Sequence, residues 1–309
     1  MKLLRALCPA LLGLLPVFGP TISNAADATA IHAQDDRGRT VDLAAPARRA
    51  VTLAPHATEL VYAAGAGGYL IATIRGSDYP PAARQLPVIG DGTQPDPERV
   101  ASVRPDLVIA WQPSAAAPLV RVMDKLGVPV YYSDPQTLAA IPDAIERLGV
   151  LFGTESTAAP AAQALRARLD ALAARYASRK PVRVFVQAGL DPIYTLNHAS
   201  IVSDALRLCG GVNVFAQAPV VAPQVGLENV LAARPDAVLA GVATPADTAR
   251  NLAAWRSMGL PAAAAGHVFG IDADALYRPG PRLVDAAEQL CADLDLSLIH
   301  ISEPTRPER

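Results

Sequence analysis

Glu98–Trp111 reads ERVASVRPDLVIAW, and Glu228–Gly241 reads ENVLAARPDAVLAG. The two stretches lie 130 residues apart and share seven of fourteen positions: Glu98/Glu228, Val100/Val230, Arg104/Arg234, Pro105/Pro235, Asp106/Asp236, Val108/Val238 and Ala110/Ala240. In each copy a short helical turn stops before Arg-Pro-Asp, because Pro cannot continue a helix and biases the Arg before it away from the helical region. The short apolar run that follows suits a buried parallel strand. Helix–RPD–strand is also ordinary α/β grammar, but an internal repeat at this separation predicts two similar lobes. Two lobes imply a cleft, and clefts between domains bind ligands.

Composition agrees with an ordinary folded protein. The chain has 309 residues, 51% hydrophobic and 18% charged, with a formal net charge of −2. That supports a sizeable core and argues against disorder and against a nucleic-acid partner. Residues 1–25 read as a secretory signal: Lys2 and Arg5 precede a short apolar run, Leu11–Phe18, broken by Pro16, and Ser23-Asn24-Ala25 gives a small-x-small cleavage site. No later stretch is read as crossing a membrane. Cys8 falls inside the signal, which leaves Cys209 and Cys291. In an oxidising compartment these two form either one disulfide or a pair of buried thiols, and the compartment favours the disulfide. Ser297–Arg309 (SLIHISEPTRPER) departs from the Ala-rich style before it. It resembles translated sequencing-adapter read-through, with a natural tail as the alternative.

The pattern along the chain gives an N-terminal lobe over 26–152, a linking helix within 153–180, a C-terminal lobe over 181–295 and a tail over 296–309. The expected first strand is Arg49–Ala54. The longest helical pattern, Glu155–Ser178, carries Leu165, Leu169, Leu172 and Tyr176 on one stripe and reads as a rigid connector. The last helix is expected over Pro281–Leu294, with Cys291 on its buried face. AGAGG at 64–68 follows a helix rather than a strand, so it reads as a cap and not as a phosphate loop.

Catalytic motifs are missing: there is no G-x-S-x-G, P-loop or H-E-x-x-H. His32, His56, His198 and His267 are scattered without metal-ligand spacing, so no metal ligands are assigned. The segments AVTLAPHATELVYAAG, SDYPPAA, ERVASVRPDLVIAW, VFVQAGLDPIYT, LCGGVNVF, PQVGLENVLAARPDAVL and RPGPRLVDAAEQLC together resemble the periplasmic cobalamin-binding proteins of ABC importers. The wider group is the helical-backbone substrate-binding proteins, which also serve haem and ferric siderophores. The resemblance implies a fold of two Rossmann-like α/β lobes joined by one long helix, a corrinoid in the cleft, no cofactor and no enzymatic activity. It also implies a monomer in the periplasm, with an ABC permease dimer as partner. Glu98 and Glu228 match the rim glutamates that meet permease arginines, although each also suits a helix N-terminus. Tyr79 and Trp111 match aromatic ligand contacts, and Asp274 and Arg278 match polar ones at a spacing that also permits a local ion pair. Ala188 and Ala222 stand where relatives carry aromatics, and the 89–96 loop lacks a Trp. With haem instead of a corrinoid, Tyr79 would be the axial ligand. A periplasmic enzyme on a similar frame is the remaining alternative.

Overall fold

The computed structural model describes residues 30–302, with side chains through Ser297. The expected signal over 1–25 and residues 303–309 lie outside the described residues. The first lobe opens with a hairpin, β1 (Ile31–Gln34) and β2 (Thr40–Leu43), that the sequence reading missed. The parallel strand β3 (Ala50–Thr52) leads into α1 (Pro55–Ala63), which ends at left-handed Gly65. Next come β4 (Leu70–Ala72), α2 (Pro97–Ser102), β5 (Leu107–Ala110), α3 (Pro113–Leu126), β6 (Val130–Tyr132) and α4 (Ala140–Phe152). The sheet order is β4-β3-β5-β6, all parallel.

The connector α5 (Glu155–Tyr176) has 22 residues, a length of about 33 Å. The second lobe holds β7 (Val182–Gln187), then a hairpin of β8 (Gly189–Leu190) and β9 (Ile193–Tyr194). α6 (Ile201–Leu208), β10 (Gly211–Asn213), α7 (Leu227–Ala233) and β11 (Ala237–Val242) follow. α8 (Pro245–Ser257), α9 (Pro261–Ala264), β12 (Val268–Asp272), α10 (Ala273–Tyr277) and α11 (Arg282–Ser302) complete it. The parallel order here is β10-β7-β11-β12. Each sheet puts its first major strand between the second and third, so the two lobes share one topology.

The repeat is reproduced in atomic detail. Arg104 and Arg234 both take the left-handed conformation, at φ 49° and 46°. That conformation turns the chain out of α2 and α7 and aims the following Asp at the neighbouring strand. Asp106 Oδ1 accepts from Arg49 N at 3.0 Å, and Asp236 Oδ2 accepts from Arg183 N at 2.9 Å. Arg49 and Arg183 in turn donate to Val103 O and Ala233 O at 2.8 and 2.7 Å, satisfying carbonyls at the ends of the two helices. Arg-Pro-Asp is therefore a structural stitch between a helix end and the start of the central strand beside it. The glutamates at the other end of each helix are left free of that task.

One apolar cluster runs through both lobes, taking in Leu148 and Phe152 of α4, Ala158, Ala162, Leu165 and Leu169 of α5, and Leu283 and Leu290 of α11. Two further clusters fill the outer faces of the sheets, one around Leu119 and Met123 and one around Phe185 and Trp255. Polar contacts fasten the connector to both sides. Arg166 donates to Asp143 and Glu146 of α4, and Arg168 donates to Asp285 and Glu288 of α11. These pairs are too exposed to contribute much individually, but they tie neighbouring positions of α5 to opposite lobes.

The Cys209–Cys291 disulfide joins the end of α6 to α11, and both residues are buried. α11 runs eight residues beyond the expected end at Leu294. Ser297 is fully buried and donates to Leu294 O at 2.7 Å, so the start of the segment set aside as a tail continues the helix. Among the described residues no helix is long and apolar enough to cross a membrane.

Candidate functional site

In parallel α/β sheets, ligand sites collect where the strands end, and most of the expected ligand residues lie there. On the first lobe, Trp111 follows β5 and is 36% exposed. Its Nε1 donates to Asp134 Oδ1 at 2.8 Å, and its ring meets His56 edge-on at 5.5 Å. Burial pushes the Asp134 carboxyl up, and the Trp111 bond opposes that rise. His56 sits at the start of α1, almost wholly buried, and its Nε2 donates to Ser133 O at 3.0 Å. Burial lowers its pKa to about 4, more than the Ser133 bond raises it, and the charge of Arg278 lowers it further. His56 is thus a neutral prop behind Trp111. Tyr79, in the loop after β4, is 42% exposed.

On the second lobe, Asp274 and Arg278 follow β12, and Arg278 Nη2 lies 2.6 Å from Asp274 Oδ1. Arg278 Nη1 reaches across to Asp78 Oδ1 at 3.3 Å, beside Tyr79. The structure therefore brings Tyr79, Asp274 and Arg278 together, with Trp111 adjoining through His56. Ala188 and Ala222, both exposed, form a second group. Ala188 N donates to Tyr194 O, while Val221 and Pro223, on either side of Ala222, accept from Asn197 and Thr195. This patch connects to α10 through Tyr277, whose hydroxyl donates to Gln187 O at 3.0 Å.

Three residues here escaped the sequence reading. Tyr194 is 37% exposed on β9, between the two alanines, and restores one aromatic to that patch. Glu59 and Arg282 join the lobes: Arg282 Nε and Nη2 donate to Glu59 Oε2 and Oε1 at 3.0 and 2.6 Å. An acid inside the otherwise buried run HATELV was a visible sign for Glu59, since a buried charge needs a partner. Nothing local pointed to Arg282 as that partner.

Glu98 and Glu228 are exposed, each at the second position of its helix. Asp96 already caps α2, accepting from the Glu98 and Arg99 amides, so Glu98 is not needed as a cap. A hollow of about 500 Å3, lined in part by Thr244, Thr248, Asp272 and Gln289, belongs to the second lobe. Another of about 400 Å3 spans Gln136 and Thr137 of the first lobe and Asp204 and Arg207 of the second. Neither is lined by Tyr79, Trp111, Asp274 or Arg278. The contacts between lobes, rather than enclosed volume, locate the candidate cleft. Among the described residues no group of three or more His, Cys, Asp or Glu is placed to hold a metal ion.

Residues 51–275 match the periplasmic binding protein family. The chain is 38% identical over 254 residues to the vitamin B12-binding protein of Vibrio cholerae, covering 82% of this chain and 91% of that one. It is 36% identical over 248 residues to the vitamin B12-binding protein of Photorhabdus laumondii, covering 80% and 88%. The crystal structure of the Vibrio cholerae periplasmic vitamin B12 binding protein BtuF superposes with a TM-score of 0.75 over 82% of this chain and 98% of that one, at 38% identity. The periplasmic heme-binding protein RhuT from Roseiflexus sp. RS-1 superposes with a TM-score of 0.70 at 25% identity, covering 81% and 98%.

Proposed function

This chain belongs to the periplasmic binding protein family, and from that premise we propose that it captures cobalamin or a related corrinoid between its lobes and delivers it to an inner-membrane ABC permease. The observation that carries the reading is the 38% identity, over most of both chains, to a vitamin B12-binding protein of the same fold. The cleft chemistry supports it. A corrin ring is flat and partly apolar with an amide fringe, which suits the aromatic faces of Tyr79, Trp111 and Tyr194 and the polar edge formed by Asp274 and Arg278. In this reading the protein is exported through a cleaved signal over residues 1–25, acts as a monomer, holds no cofactor and catalyses no reaction. Glu98 and Glu228, one on each lobe, then meet the two halves of the permease.

The second reading is a haem receptor of the same fold. It rests on the likeness to RhuT and on Tyr79 as an exposed phenol. Loading the purified protein with haemin or cyanocobalamin, removing free ligand and recording the absorbance separates the two. Retained corrinoid bands are expected. A Soret band that disappears in Tyr79→Phe, with no corrinoid retained, overturns the corrinoid reading.

Trp111→Ala is expected to weaken cobalamin binding by about 1–3 kcal/mol, the scale for losing a large aromatic contact at a binding surface. Its melting temperature should stay close to that of the wild type, because the ring is partly exposed and leaves the main core intact. Calorimetric titration and a thermal melt on the same sample check this. Unchanged affinity with a lowered melting temperature would make Trp111 a core residue.

A further inference from the structure

The contact between the lobes contains a buried charge that neither direct contact with a ligand nor permease docking explains. Glu59 is 3% exposed, on α1 of the first lobe, and its carboxylate faces α10 and α11 of the second. Arg282 grips it with two donors at 3.0 and 2.6 Å, and Arg278 Nη1 lies 3.5 Å from the same Oε1. Gly280 lets the second-lobe backbone close over it, since a Cβ there would come within 3.3 Å of Glu59 Oε2. Burying such a pair carries a desolvation cost, and apolar residues of equal volume often hold a structure together as well or better. Adhesion between the lobes is therefore a weak reason for a carboxylate at this point.

Its partners show a better one. The Arg282 guanidinium covers the Tyr79 ring at 4.4 Å from the centroid, a distance at which a cation is attracted to the ring face. Arg278 pairs with Glu59 through Nη1 at 3.5 Å and has its other contacts with Asp78 and Asp274, which are about half exposed. The chain of contacts runs from a carboxylate that ligand cannot reach to the aromatic and polar groups that line the cleft. We infer that Glu59 is a positioning residue: through Arg282 and Arg278 it sets the Tyr79 ring and the Arg278 guanidinium in their binding geometry before the ligand arrives. This rests on the corrinoid-receptor reading and deepens it. Preorganised groups bind more tightly because less order is imposed on binding. Glu59 thus acts on affinity without touching the ligand.

A double-mutant cycle tests it. Cyanocobalamin affinity is measured by calorimetry for the wild type, Glu59→Gln, Arg278→Ala and the double variant, with a melt of each. Glu59→Gln keeps the shape and removes the charge. It is expected to weaken binding about tenfold alone and by a clearly smaller factor in the Arg278→Ala background, where only the Arg282–Tyr79 arm is left for it to act on, the coupling expected of residues in one network. Equal losses in both backgrounds, or a lowered melting temperature with unchanged affinity, would overturn the inference by making Glu59 a strut only. If Glu59→Gln does not fold, Arg282→Lys keeps the charge, breaks the two-donor grip and should show the same coupling. A wild type that takes haemin and refuses cobalamin overturns the receptor reading, and the same cycle run with haemin still decides the role of Glu59. A wild type that binds neither overturns both.

Discussion

The Cys209→Ala, Cys291→Ala variant is expected to lose about 4 kcal/mol of stability on the loop-entropy account, and so to melt roughly 8–12 °C below the wild type. The bridge closes a loop of 82 residues and joins α6 to α11 across the helical layer of the second lobe. Alanine is the right replacement because both sulfurs are buried, and a serine hydroxyl there would add an unpaired polar group. Scanning calorimetry without reductant measures the loss. Titration of the unfolded, unreduced mature protein should find no reactive thiol. An unchanged melting temperature, or two titratable thiols, would contradict the account.

Glu98→Ala with Glu228→Ala is expected to reduce uptake roughly tenfold or more while leaving ligand affinity at the wild-type value, with each single change intermediate, since desolvated charge pairs at an interface can be worth several kcal/mol. The structure sharpens the reason. Both side chains are exposed at the same position of equivalent helices, and neither has an ion-pair partner among the described residues. A carboxylate in the first turn does favour its helix, but on α2 the capping bonds are made by Asp96 and not by Glu98. A partner with two-fold symmetry would meet one glutamate on each lobe. Uptake in cells lacking their own receptor, paired with calorimetry on the same variants, reads the effect. Normal uptake by the double variant would leave the glutamates as helix-start charges and the repeat as duplicated architecture.

The reach of the sequence reading follows the range of the interactions. RPD was legible because its parts are local: Pro stops the helix, Arg turns left-handed, and Asp finds the adjacent strand. The connector was legible from its stripe, although Leu172 proves only partly buried. The β1–β2 and β8–β9 hairpins and β10 escape the sequence because, unlike the equally short β3 and β5, they carry no continuous apolar run, and two to four residues are too few for alternation to show. The apolar stripe of α11 ends at Leu294 and the composition changes at Ser297, yet the helix runs on and Ser297 packs on it. Glu59 and Arg282 stand 223 positions apart and share no motif. Only folding brings the two lobes together, so this contact between lobes cannot be read from spacing, whereas the local Asp274–Arg278 pair can. Tyr194 escapes the sequence for another reason: it reaches the patch of Ala188 and Ala222 only through the β8–β9 hairpin, which no local pattern marks.

The central claim is that this chain is a corrinoid receptor, and titration calorimetry of the mature protein with cyanocobalamin, cobinamide and haemin in parallel tests it most directly. The account predicts a saturable one-to-one isotherm with cyanocobalamin, weakened in Trp111→Ala, and no saturable heat with haemin. Saturation by haemin with none by either corrinoid would contradict it.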